Sequence, residues 1–168
     1  VKHRILKFVN APEPNVLSSQ TLYECLFFAL DMVAVSGQEE WSAASRDLMQ
    51  RIVQSQLPDG GFDIGYNFRF GVGLEKSQAK ESTTPEVVAL TALSRYAEHF
   101  GTADVEDCLR RGDEWIRRNQ VRVPGGVAVP YASLTTSRVH ITNATSFALA
   151  ARARVGKVLG LSSQTEDD

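Results

Sequence analysis

Residues 51–66 read RIVQSQLPDGGFDIGY, and residues 115–131 read WIRRNQVRVPGGVAVPY. Laid together, Gln56 falls on Gln120, Gly60-Gly61 on Gly125-Gly126, Phe62 on Val127, Ile64 on Val129, and Tyr66 on Tyr131, at an offset of 64 or 65 residues throughout. In each stretch a helical pattern runs into a Gly-Gly pair. Apolar and polar residues then alternate as they do in a strand. Glycines let the chain turn sharply off a helix. The alternation in Asp59–Gly71 puts Phe62, Ile64, Tyr66, Phe68 and Phe70 on one side. A shared offset across helix, turn and extended segment indicates an internal repeat.

Helical periodicity accounts for most of the chain outside these connections. A helix is expected from about Thr21 to Val35, apolar almost all round and therefore buried on most sides. Glu39–Gln56 carries one stripe, Trp41, Ala44, Leu48 and Ile52, and reads as an outer helix. Thr84-Pro85-Glu86 is a helix start: Thr84 can cap, Pro85 suits the first position, and Glu86 favours the positive helix end. That helix runs to Phe100, with Ala89, Leu93, Tyr96 and Phe100 on one face and Gly101 as its stop. The next runs from Thr102 to about Gln120, with Val105, Leu109, Gly112, Trp115 and Ile116 as its stripe. A fifth spans about Asn143–Leu159, with Phe147, Ala148, Ala151, Val155 and Leu159 facing a core. Residues 1–17, with Pro12 and Pro14, read as an extended arm. Residues 18–160 form the repeat domain, and 161–168 a flexible tail. The expected class is all-α: about two and a half helical hairpins with short extended segments in the loops.

This unit resembles the α/α-toroid proteins, in which helical hairpins circle an axis. That superfamily includes terpenoid cyclases, protein prenyltransferase β subunits, polysaccharide lyases, uronyl epimerases and six-hairpin glycosidases. Many carry a Gln-x-x-Asp-Gly-Gly-aromatic turn after an outer helix, and Gln56-Leu57-Pro58-Asp59-Gly60-Gly61-Phe62 fits it. The second copy, Gln120 to Val127, departs from the pattern with one extra residue, no Asp and no aromatic. The resemblance implies a partial ring, completed by self-association, by a partner or by a missing toroid segment. It speaks to fold more than to reaction.

Composition narrows the function classes. A net charge of -2 argues against a nucleic-acid footprint. No apolar run approaches the roughly 18 residues needed to cross a bilayer, and no signal peptide is visible, so a soluble chain of unassigned compartment is expected. Cys25 and Cys108 both fall in expected helices and read as buried small apolar thiols. His3, His99 and His140 are scattered, so neither a metal site nor a cofactor is expected.

Toroid active sites lie where loops reach over the ends of the inner helices, which points to connections 57–83 and 121–142. Asp63, Asn67 and Arg69 occupy the polar side of the first alternating segment. With Glu81 they could bind or protonate a sugar, because glycosyl transfer wants two carboxylates roughly 5–9 Å apart. The alternative is a solvated strand edge or a loop-pinning ion pair. Tyr66 and Tyr131 hold equivalent repeat positions. A tyrosine whose pKa is lowered by Arg69, Lys76 or Arg138 could serve as acid or base toward a sugar carbon; a repeated packing contact is the plainer reading. His140 is a candidate general base, or an exposed residue before the fifth helix. The nominated catalytic set is thus Asp63, Tyr66, Glu81, Tyr131 and His140, with Asn67, Arg69, Arg138 and Asn143 binding substrate.

Three functions are expected from these features. The first is a carbohydrate-active protein acting on or binding a polysaccharide or uronate-type sugar. The second is a non-catalytic hairpin domain that completes its ring with a partner. The third is an isoprenoid cyclase or transferase relative. For the third, Val105-Glu106-Asp107-Cys108 matches the cyclases' Val-x-Asp-Cys motif, but Leu109-Arg110-Arg111 follows where a small polar residue is wanted.

Overall fold

A computed structural model of the chain describes residues 19–62, 84–129 and 142–161. These residues form five α-helices and one short antiparallel pair. The helices are α1 (Ser19–Ser36), α2 (Glu39–Gln54), α3 (Thr84–Phe100), α4 (Glu106–Arg118) and α5 (Thr142–Val158). Between α4 and α5, β1 (Val121–Val123) pairs with β2 (Gly126–Ala128), in the register Val121 to Ala128. The protein is all-α among the described residues. The arm before residue 19 and the tail after residue 161 lie outside them, as do residues 63–83 and 130–141.

Helix α3 is the centre. It packs on α1 to one side and α5 to the other, while α2 lies against α1 and α3, and α4 against α3 and α5. Its apolar residues explain this place: Ala89, Leu90, Ala92, Leu93 and Tyr96 are all fully buried. They cover more than one stripe, so α3 needs neighbours on several sides. Helix α4 has the opposite design. Cys108, Leu109, Gly112, Trp115 and Ile116 form its one buried face, and the rest is charged. Gly112 allows α3 to come close, because a Cβ there would stand 2.6 Å from Leu90 Cδ2.

Two ion pairs link α1, α3 and α5. Arg95 of α3 pairs with Asp31 of α1, and Lys157 of α5 pairs with Glu98 of α3. Each pair joins residues at matching depth from the start of its helix. Exposed pairs of this kind contribute little stability.

The structure corrects several sequence expectations. Helix α1 is not buried on most sides: Phe28 is 57% exposed and Val35 84%. Leu22, Tyr23, Leu26, Ala29 and Leu30 make one buried face, because only α2 and α3 pack on it. In α2 the buried row is Ser45, Met49 and Ile52, with Ala44 and Leu48 only half-buried beside it. In α5, Phe147 turns outward at 62% exposure, while Ala148, Ala151 and Val155 bury as expected. Helix α4 starts at Glu106 and ends at Arg118; Thr102 instead accepts the backbone N–H groups of Val105 and Glu106 at its carbonyl.

The two cysteines differ. Cys108 is buried, and desolvation pushes its thiol up to about 12 despite the nearby Arg111. Cys25 is exposed, against the expectation of a buried thiol. Dilute native protein should therefore show one fast-reacting thiol toward a disulfide reagent at pH 8, and the second only on unfolding. The sign of the linkage follows. Between the ordinary thiol value of 9.0 and about 12, the unfolded chain releases a proton that the folded chain keeps. Stability should fall as pH rises through that window, and Cys108→Ala should remove that part of the fall. Two equally fast thiols would contradict the placement of Cys108.

Candidate functional site

The turn Gln56–Phe62 is the most heavily tied connection among the described residues. Gln56 and Phe62 form a single antiparallel bridge that closes it. Inside, the Leu57 N–H donates to Gly61 O at 2.7 Å and the Gly60 N–H to Leu57 O at 2.9 Å. Asp59 Oδ1 accepts the Gly61 N–H at 2.9 Å, an Asx-type closure that suits aspartate in a tight turn. Gly60 sits at φ +91°, a region that side chains disfavour. A Cβ there would lie 2.5 Å from the backbone oxygen of Arg111.

The turn is laid along α4 and sewn to it. Gln56 Nε2 donates to Cys108 O at 2.9 Å and to Gly60 O at 3.1 Å. Arg111 donates to Leu57 O at 2.8 Å, and Arg118 donates to Asp59 O. Trp115 Nε1 donates to Asp59 Oδ2 at 3.2 Å. Gln56, Leu57 and Asp59 thus join the end of α2 to α4. The motif aspartate serves as an acceptor for the turn and for Trp115.

At the far end of the turn the chain reaches the first turn of α3. Phe62 is fully buried, and its N–H donates to Glu86 Oε1 at 2.7 Å. Glu86 has no solvent exposure. Its sequence position suggested only a favourable charge at a helix start. A buried carboxyl instead supplies an acceptor for a backbone N–H that water cannot reach. The second connection uses a similar device. Val129, also fully buried, donates its N–H to Thr145 Oγ1 at 3.1 Å, in the first turn of α5. Pro124-Gly125 forms the turn between β1 and β2, and Gly126 opens β2 opposite Val123, closing the loop as the Gln56–Phe62 bridge does in the first.

The sequence-nominated residues fall almost wholly outside this description. Asp63, Tyr66, Glu81, Tyr131 and His140 lie outside the described residues, as do Asn67, Arg69 and Arg138. Asn143 is the second residue of α5. Glu86, Arg111, Trp115 and Arg118 were not nominated. The latter three recur at positions i, i+4 and i+7 along one edge of α4. That spacing could have marked them as a common surface.

The cyclase-like stretch Val105–Cys108 carries no acid site. Asp107 is solvent-exposed and pairs with Arg111 at 3.7 Å, and Glu106 pairs with Arg110 at 2.8 Å. Both are i,i+4 pairs in a helix first turn, where acids are favoured for local reasons. Among the described residues no group of three or more His, Cys, Asp or Glu could hold a metal ion. Among them, too, no helix is long and apolar enough to cross a membrane. Compared with protein-family models, curated proteins and solved structures, the chain matches none.

Proposed function

We propose that this chain is a helical-hairpin array of the α/α-toroid type that binds or acts on a polysaccharide or uronate-type sugar. The site would lie at the end of the array where α1, α3 and α5 begin. The observation that carries this is the anchoring of both connections at that end. Phe62 is held by Glu86 in the first turn of α3 and Val129 by Thr145 in the first turn of α5, and α3 and α5 pack against each other. The residues that follow each anchor in sequence, Asp63 to Glu81 and Tyr131 to His140, include all five nominated acids, bases and tyrosines. Sugars favour such a mixture, with aromatic rings for their faces and Asp, Asn and Arg for their hydroxyls.

A polysaccharide array including uronate polymers tests this reading. Wild-type protein should bind at least one class. Asp63→Ala and Tyr66→Phe should each weaken that binding by about tenfold or more, about 1.4 kcal/mol, with the helical circular dichroism unchanged. Wild-type protein that binds no member of the array overturns the proposal.

A second reading is favoured by the exposed apolar residues of α1 and α5. In it the array is an association module, whose two end helices are covered by another protein surface. Contiguous exposed apolar side chains are characteristic of interaction sites. The isoprenoid reading gains nothing from Asp107, which faces water.

A further inference from the structure

We draw no further inference here: the strongest candidate, the exposed apolar faces at the two ends of the helix row, with Phe28 and Val35 on α1 and Phe147 and Leu149 on α5, carries nothing because nothing in the structure shows what covers them.

Discussion

Gly60→Ala is expected to destabilise the protein by roughly 2–5 kcal/mol, the sum of two separate costs. The first is conformational. Gly60 is at φ +91°, and a side chain in left-handed conformation costs about 1–2 kcal/mol. The second is steric. The new Cβ would lie 2.5 Å from the backbone oxygen of Arg111, and a helix backbone cannot yield as a side-chain tip can. Moving the turn away would stretch the bonds from Gln56 to Cys108 O and from Arg111 to Leu57 O. Gly125 supplies the control. It has φ +88°, yet nothing lies within 4 Å of its would-be Cβ. Gly125→Ala should therefore carry the conformational cost alone, about 1–2 kcal/mol. Urea unfolding followed by circular dichroism compares them. Equal losses at the two positions would show that the contact with α4 is unimportant.

Glu86→Ala is expected to cost about 2–4 kcal/mol. It removes the acceptor of the Phe62 N–H at a site without solvent, and it leaves a cavity at the first turn of α3. Glu86→Gln keeps an oxygen acceptor of nearly the same shape and should cost much less. Hydrogen exchange at the Phe62 amide separates the causes. It should speed up strongly in the alanine variant and only slightly in the glutamine variant. If glutamine is as damaging as alanine, the bond to Phe62 is not the reason that Glu86 is buried. The same variants bear on function, because Glu86 sets where the first connection begins. A carbohydrate site built on that connection should weaken in Glu86→Ala and survive in Glu86→Gln.

The turn itself was legible as a motif, and its partners were not. Gln56, Asp59 and the Gly-Gly pair stand together in sequence, so the motif is visible as a string. Glu86, Arg111, Trp115 and Arg118 are distant in sequence, and each also has a local explanation as a helix-start acid or an outer-helix residue. Only the meeting of α2, α3 and α4 shows that all four hold one turn. The nominated Asp63, Tyr66, Glu81, Tyr131 and His140 came from the two connections, Asp63 from the polar side of the first and Tyr66 and Tyr131 from equivalent repeat positions. All five lie outside the described residues.

The sequence by itself determined the helices and the stops between them. Period-3.6 patterning, the Thr84-Pro85-Glu86 start and the glycines after α1, α3 and α5 act through backbone preferences within a turn or two of chain. It also determined where the two Gly-Gly connections begin, for the same local reason. Which apolar residues are covered was a tertiary decision. Phe28 and Phe147 are large apolar residues, yet they are exposed because α1 and α5 are the ends of the row. In α2 the choice of Ser45 and Met49 over Ala44 and Leu48 was set by the side on which α1 and α3 pack. Burial depends on what arrives from elsewhere in the chain, and periodicity carries no information about that.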